Sequence, residues 1–313
     1  CKAWGYDCSL VSKAKPTGQA THIASITRGT VHHKITGGVK VVKTILEAAA
    51  AGIADAGVGS AVTFTGGFLA RDSKVFFGTM NPKGWSGDVQ AWPLDEKTAR
   101  ILVTRPLGGM VWSAAETMDA GSPASRVMLS YRRAVTDAKG VTTPGKGIAF
   151  LWDELSDEQK ADIQSSHKGE VGDEKEGETR LSFLRGDRTD EGKGYGFRIR
   201  DSRLGDIWHS SPVYVGASVG PWWDGMAYVK KSFSFSKFQK KVEKRKPVVY
   251  VGSNGGAMHA FDAKDGKELF AYYPRSLFNS STGKGYHHLS EPRFAHKQVY
   301  VDGTAVINDA VLN

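Results

Sequence analysis

The sequence VVYVGSNGGAMHAFDAKDGKELFAYYP at residues 248–274 is the most regularly patterned stretch of the chain. Its β-branched and aromatic residues at 248–251, 258–261 and 268–273 suit pleated, buried strands. The tetrapeptide SNGG at 253–256 and the Asp265-Gly266 pair separate these runs and suit tight reversals. The spacing therefore predicts three antiparallel strands joined by two turns.

Such a meander is one blade, or most of one, of a β-propeller, and the run GSNGGAMHAFDAKDGKEL at 252–269 resembles the repeats of quinoprotein-like propellers. A hairpin meander in a β-sandwich is the alternative that this pattern leaves open. The chain has 313 residues, with 37 glycines and 11 prolines, which suits many tight turns better than long helices. We therefore expect a mainly all-β fold with a few short helices.

The rest of the chain divides into an N-terminal part, residues 1–60, and a propeller part, residues 61–313. Residues 1–38 are polar and predict an irregular arm, and residues 40–56 have the apolar spacing of a helix. Short strands follow from residue 61 in the runs AVTFTGGFLA, KVFFGTMN and DVQAWPL. The spacing of Ser156 and Gln159 predicts a capping box, and the acidic run at 173–178 predicts a mobile surface loop.

The formal net charge is +9, which would favour acidic partners such as a polysaccharide, a nucleic acid or anionic headgroups. Much of the excess lies in the segment KKSFSFSKFQKKVEKRK at 230–246, either a solvated loop or a binding patch. Phe233, Phe235 and Phe238 alternate imperfectly with polar residues, which predicts an edge strand protected by lysines. Phe233 and Phe235 are candidate contact residues, and no nucleic-acid partner is expected.

Two cysteines, Cys1 and Cys8, lie at the N-terminal end. They form no metal or haem-attachment motif. A local disulfide is expected if the protein is exported, and a lipidated Cys1 is the alternative. The sequence starts without Met or a signal segment, which suggests a mature or excised fragment, and it has no apolar run long enough to cross a bilayer.

Blocks of the sequence resemble one family in order and spacing. They are WSGDVQAW at 85–92, LSFLRGDR at 181–188, RLGDIWHSSPVYVG at 203–216, the 249–278 stretch and YVDGTAVINDA at 300–310. They are similar to the C-terminal β-propeller domain of the PilY family, which are type IV pilus biogenesis factors and tip adhesins. The resemblance covers residues 61–313.

The resemblance implies a modified β-propeller that reaches the cell surface through the periplasm and is mounted on minor pilins at the pilus tip. It implies a non-enzymatic role in pilus assembly and surface adhesion, with a surface or polysaccharide ligand. The family's calcium loop would lie after Asn313. The aspartates at 187–190 and 262–265 supply too few carboxylates for such a loop, so no cofactor is expected in this chain.

A propeller closes by pairing its last strand with its first, and this sequence ends soon after Asp302. An open propeller leaves unpaired edges and one apolar face to cover. We therefore expect the remaining blades on a second polypeptide or elsewhere in a longer protein. The tail at 298–313 predicts two more short strands.

Alternatives from other classes are a quinone-dependent dehydrogenase, with Asp206 or Asp262 as the catalytic aspartate, and a structural subunit of another extracellular filament. The tripeptide at 185–187 has the integrin-binding sequence, so Arg185 and Asp187 are candidate contacts, although a simple turn at a blade edge is favoured. Trp222 and Trp223 are candidates for stacking on a sugar or docking a partner.

The histidines favour structural roles. His32-His33 and His287-His288 would point to opposite faces of a strand, so neither pair makes a chelate alone. His209 is expected to be a buried, hydrogen-bonded blade residue.

Overall fold

The computed structural model describes residues 23–28, 31–36, 58–64, 73–82, 84–95, 98, 100–102, 109–166, 170–218, 234–294, 299–307 and 309. The strands are β1 Ile23–Arg28, β2 Val31–Thr36, β3 Val58–Phe64, β4 Lys74–Asn81, β5 Ser86–Pro93, β6 Trp112–Ser113, β7 Met128–Arg132, β8 Val135–Thr136, β9 Thr142–Thr143, β10 Lys146–Ala149, β11 Val213–Val215, β12 Val248–Gly252, β13 Met258–Asp262 and β14 Glu268–Tyr272. The helices are α1 Ala114–Ala120, α2 Asp157–Gln164, α3 Glu174–Leu184 and α4 Phe235–Val242, with 3-10 turns at Pro123–Ser125, Trp152–Glu154, Arg275–Leu277 and His287–Ser290.

The opening stretch forms the predicted meander of β12, β13 and β14. Val249 pairs with Phe261 and His259 pairs with Ala271, both in antiparallel register. The two turns contain Gly256 at φ +99° and Gly266 at φ +73°, conformations that favour glycine. The local turn chemistry therefore predicts this part of the fold correctly.

A six-stranded sheet, which we call the central sheet, is built around this meander. Its strand order is β10-β7-β14-β13-β12-β11. The pairing of β7 with β14 is parallel, and the other pairings are antiparallel. Strands β11 to β14 thus form a four-stranded meander, to which the β7–β10 hairpin adds two strands.

A second four-stranded sheet has the order β3-β4-β5-β6 and confirms the meander predicted from residue 61. Strand β3 begins at Val58, so the predicted boundary between residues 60 and 61 falls inside this strand. Most residues of β4 are buried on both faces, as expected for a strand covered on two sides.

The two sheets pack through an apolar cluster that both supply. Phe76, Val89 and Trp112 of the smaller sheet meet Val249 and Phe261 of the central sheet. At this contact Gly205 lies so close to Gly255 that a Cβ on Gly205 would stand 2.4 Å from the Gly255 nitrogen. Two packed four-stranded meanders are the arrangement expected for neighbouring blades, and the sheets of the described residues are not closed into a ring.

The helical segments pack on another part of the central sheet. Phe150, Ile163, Leu181 and Tyr286 belong to one buried cluster with residues of β7 and β14. Helix α2 begins with the predicted capping box, in which Ser156 accepts from the Gln159 backbone and the Gln159 side chain accepts from the Ser156 backbone. Capping therefore fixes the start of this helix as the sequence predicts.

Two segments that the sequence predicted to be a loop and an edge strand form helices in the structure. The acidic run at 173–178 is not a mobile loop, because Asp173 caps α3 and the helix buries Leu181 and Leu184 at helical spacing. The predicted edge strand is also wrong, since Phe235 and Phe238 lie in α4 and Ser234 caps it. The spacing of three residues between Phe235 and Phe238 places both rings on one helix face. The strand-like period of two residues was therefore the wrong interpretation.

The two ends of the chain also differ from expectation. The arm predicted at 1–38 contains the antiparallel β1–β2 hairpin, whose β-branched residues suit strands. The predicted tail strands are absent from the described residues 299–307, where the Tyr300 nitrogen donates to the Asn254 side chain rather than to a strand. The predicted helix at 40–56 and both cysteines, Cys1 and Cys8, lie outside the described residues.

Candidate functional site

The predicted aromatic contact residues fall into two groups. Trp222, Trp223 and Phe233 lie outside the described residues, so their contact role stays a prediction. Phe235 is buried at the start of α4, with its ring centroid 5.9 Å from that of Phe238. Its side chain therefore packs within the protein and does not present a contact surface.

The tripeptide at 185–187 directly follows helix α3. The Arg185 guanidinium donates to the backbone carbonyls of Phe150 and Arg126, and burial lowers its pKa. Asp187 accepts from the nitrogen and hydroxyl of Thr189, and these bonds hold the pKa of Asp187 below its ordinary value. The arginine is thus directed inward, which does not favour integrin-type recognition.

One face of the central sheet is rich in apolar and aromatic side chains, and we call it the open face. Directly paired residues of neighbouring strands point to the same face. The register therefore places one row from Met258 through Tyr272 to Leu129 and another from Tyr250 through Ala260 to Phe270. Alternation along β7 adds Tyr131 to this face.

The open face belongs to neither buried cluster. The opposite face carries Val249, Val251 and Phe261, which pack against the smaller sheet. On the open face Leu129, Tyr131 and Tyr272 remain 38%, 41% and 38% exposed. Adjacent exposed apolar side chains of this kind mark an interaction surface.

A polar junction ties the tail to the central sheet. The Asn254 amide donates to Asp206 at 3.0 Å and to Asp302 at 3.2 Å. His209 Nδ1 lies 2.5 Å from Asp302, so the expected hydrogen bond is present. The His209 side chain is 69% exposed, however, so its predicted burial is wrong, because it lies at the rim of the junction.

A buried ionic group joins β13, β14 and the segment that leads into β7 at one end of the central sheet. Arg126 donates to both oxygens of Glu268, at 2.6 and 2.9 Å, and His259 Nδ1 lies 2.7 Å from the same carboxylate. Burial alone would raise the pKa of Glu268, but the hydrogen bonds from His259 and Arg126 outweigh it and lower the pKa to about 2. The Glu268 carboxylate therefore stays ionised at neutral pH in the folded protein, and it links β14 to β13 and to the segment before β7.

The histidine pair at 287–288 lies in a 3-10 turn and not in a strand. His287 Nδ1 is 2.7 Å from Asp162, and that carboxylate also accepts from the backbone nitrogens of Asn279 and Tyr286. Asp162 and His287 are fully buried. The contact between His287 and Asp162 therefore organises the loop that follows β14, which is a structural role.

Metal-ligand geometry is not found in the part of the chain that the structure describes, which has no group of three or more His, Cys, Asp or Glu placed to hold an ion. Asp262 accepts from the Lys264 nitrogen and Asp265 from the Lys267 nitrogen, so both carboxylates stabilise the turn. The calcium loop that the family resemblance implies would lie after Asn313 and stays a prediction.

Sequence reasoning did not identify the open face. The signal was present in the run MLSYR at 128–132, where Leu129 and Tyr131 alternate with Met128 and Ser130. Such a strand carries large apolar groups on both faces and is typical of a sheet covered on both sides. The pairing of β7 with β14 is needed to place these residues beside Tyr272.

Comparison with known proteins gives a consistent result. A family model described as the PilY1 beta-propeller domain matches residues 204–313. The chain is 34% identical over 239 residues to the type IV pilus biogenesis factor PilY1 of Pseudomonas aeruginosa strain PAK, covering 73% of this chain and 18% of that protein. It is 39% identical over 134 residues to a type IV pilus biogenesis factor PilY1 homolog of Xylella fastidiosa, covering 41% of this chain and 10% of that protein.

The chain thus spans less than a fifth of the length of the curated relatives it matches. No solved structure is significantly similar to it. The resemblance found in the sequence blocks is confirmed. The fold class of a mainly β, modified propeller is confirmed too, and its sheets are not closed within the described ranges.

Proposed function

We propose, from the premise that this chain carries the β-propeller domain of the PilY family, that it acts as a non-enzymatic component of type IV pilus assembly. In this proposal it docks minor pilins and contacts surfaces, including polysaccharides. It works at the cell surface at the pilus tip, which it reaches through the periplasm. None of the helices in the described ranges is long and apolar enough to span a membrane.

The observation that carries the proposal is the open face. One face of the central sheet already packs on the neighbouring meander, and in a propeller each blade packs between two others. Leu129, Tyr131 and Tyr272 would be covered by a further blade, supplied by a second polypeptide or by another part of a longer protein. The domain is then a docking body whose apolar surfaces are interfaces.

The roles of the two aspartates considered for an enzyme support a non-enzymatic function. Asp206 is buried and accepts from the Asn254 amide, and its backbone carbonyl accepts from the Asn254 nitrogen at 2.9 Å. Asp262 forms a turn and pairs with Lys246 at 3.1 Å. Both carboxylates stabilise the fold. A calcium ion bound after Asn313 remains part of the family proposal.

The experiment is affinity purification of the protein from its native cells, followed by mass spectrometry, together with a count of surface pili in a strain lacking the gene. We expect minor pilins to co-purify and the deletion strain to lose surface pili until it is complemented. A deletion strain with normal pili would overturn the proposal. Dye reduction by the purified protein after addition of a quinone cofactor and calcium would favour the dehydrogenase.

A further inference from the structure

Helix α4 carries a row of lysines on one side, which we call the lysine stripe. Its members are Lys237, Lys240, Lys241 and Lys244, and all four side chains are exposed. Lys244 lies in the turn that follows the helix, and the other three lie in the helix itself. Residues three or four positions apart lie on the same side of a helix, so the four ammonium groups form a single row. At a rise of about 1.5 Å per residue, the row extends about 10 Å along the helix axis.

The opposite side of α4 is held on the protein. Phe235 is buried and Phe238 is partly buried, with their ring centroids 5.9 Å apart. The Gln239 amide donates to the Ser218 carbonyl at 3.4 Å. Because these residues anchor one side of the helix, the lysine stripe on the other side faces outward.

The basic residues that follow the stripe are used by the fold, whereas the stripe is not. Arg245 pairs with Asp309 at 2.9 Å and also donates to the Gly216 carbonyl. Lys246 pairs with Asp262 at 3.1 Å. By contrast, no lysine of the stripe has an ion-pair partner in the part of the chain that the structure describes. The four charges of the stripe are therefore available to a ligand.

The stability of the helix does not explain the stripe. Lys237 is the third residue after the N-cap Ser234, whose hydroxyl accepts from the Lys237 nitrogen. The helix macrodipole favours a carboxylate in this first turn and disfavours an ammonium group. Lys240 and Lys241 suit the dipole in the last turn, but they lie three and four residues from Lys237, and like charges at this spacing repel. A ligand of opposite charge would relieve this repulsion.

The sequence around the stripe is also basic. Residues 219–246 contain eight lysines and arginines against two acidic residues, Asp224 and Glu243, so this segment contributes six of the nine net positive charges of the chain. Residues 219–233 lie outside the described residues and contribute two of these lysines together with Asp224. They therefore add to the positive charge of the segment and do not cancel it.

We propose that the lysine stripe binds a linear acidic polysaccharide, whose carboxylate or sulfate groups pair with successive lysines. A narrow row of point charges fits a charged strand laid along the helix. An anionic membrane is a poorer occupant, because membrane-surface helices insert an apolar face and the phenylalanines of α4 pack inward. Single-stranded nucleic acid is poorer too, because its binding adds aromatic stacking that α4 does not offer. The choice of ligand rests on the proposed function, in which the chain contacts surfaces.

The test is titration of the full 313-residue chain with carboxymethyl dextran, followed by calorimetry or surface plasmon resonance. Unmodified dextran of the same length is the control probe, because it has the same backbone without the carboxylates. We expect saturable binding of the charged dextran that weakens with added salt, and no binding of the neutral dextran.

Two charge-matched variants locate the site. The stripe variant carries Lys237→Gln, Lys240→Gln, Lys241→Gln and Lys244→Gln. The control variant replaces four exposed lysines on other elements by glutamine, at Lys139, Lys175, Lys193 and Lys284. Both variants lose four positive charges, so their net charges are equal. We expect the stripe variant to bind carboxymethyl dextran at least about tenfold more weakly than the parent does, and the control variant to stay within about threefold of the parent.

Far-ultraviolet circular dichroism shows whether each variant folds. If the stripe variant does not, the double variant Lys237→Gln with Lys241→Gln replaces it, and we expect at least about threefold weaker binding. Absence of binding to carboxymethyl dextran, unchanged binding by the folded stripe or double variant, or an equal loss of affinity in the stripe and control variants would overturn the proposal. So would tighter binding to vesicles of phosphatidylglycerol and phosphatidylcholine, or to single-stranded DNA, than to the charged dextran.

This test uses the purified chain, so its outcome is separate from that of the pilus experiment. A deletion strain with normal pili would overturn the pilus proposal and leave the binding result as measured. Loss of pili in the deletion strain, without binding of the charged dextran by the purified chain, would overturn only the role of the stripe.

Discussion

At the scale of single residues, the fold depends on charged groups that are buried and fully engaged. Glu268 is the clearest case, because Arg126 and His259 both bind its carboxylate in the interior. Removing one member of such a group leaves the others buried without a partner, which costs more than the net value of the intact group. Protonation of Glu268 removes its negative charge, as a substitution would. The group is therefore sensitive to pH as well as to substitution.

We predict that the free energy of unfolding falls as pH is lowered from about 4.5 towards 2. The pKa of Glu268 is lowered from 4.5 to about 2 in the folded protein, so its contribution is fully present above pH 4.5 and is lost as pH falls through the folded value. The shift corresponds to about 3 kcal/mol. Urea unfolding at a series of pH values measures it.

The control for this prediction is Glu268→Gln, which should be less stable at neutral pH and should lose less stability than the parent between pH 4.5 and 2. A parallel pH dependence in parent and variant would mean that other carboxylates account for the acid sensitivity. Lys267 and Asp265, an exposed pair in the preceding turn, should contribute little.

At the scale of elements, the contact between the two sheets depends on close approach of backbones. We predict that Gly205→Ala destabilises the protein by about 2 kcal/mol or more, because the new Cβ would stand 2.4 Å from the Gly255 nitrogen, and backbone cannot rotate away as a side chain can. Thermal unfolding followed by circular dichroism measures the change.

The matched control is Gly147→Ala in β10, where an added Cβ would meet no atom within 4 Å. This substitution should leave stability unchanged or raise it slightly, because alanine loses less backbone entropy on folding. Equal effects of the two substitutions would show that the loop at Gly205 can move away from the turn at Gly255 without loss of stability.

The elements also show how far the sequence predicts this fold. Strands β12 to β14 and the start of α2 are correct because local turn and capping chemistry fixes them. Helix α4 was missed because the spacing of Phe235 and Phe238 fits a helix as well as an imperfect strand. The open face was missed because the local pattern at 128–132 does not show that β7 pairs with β14, which lies far away in the chain.

At the scale of the whole molecule, the open face determines how the isolated chain behaves. We predict that the purified chain self-associates and binds a hydrophobic dye, because Leu129, Tyr131 and Tyr272 present adjacent apolar surface to water. The double substitution Leu129→Lys with Tyr272→Lys should reduce both the mean mass in light scattering and the dye fluorescence.

Val141→Lys is the matched control, since Val141 is exposed between β8 and β9 and lies outside the open face. It should not change the association state. If the parent chain is monomeric and binds no dye, the open face is covered within the molecule and its proposed role as a docking surface fails.

The parallel pairing of β7 with β14 constrains the order in which the molecule can fold. The β7–β10 hairpin is made early in the chain, but Met128 and Leu129 find their partners Ala271 and Tyr272 only after the rest of the domain has been synthesised. Contacts between such distant segments slow folding and leave apolar strands unprotected in the meantime. The central sheet therefore stays incomplete until β14 has been made, and the β7–β10 hairpin has one unpaired edge until then.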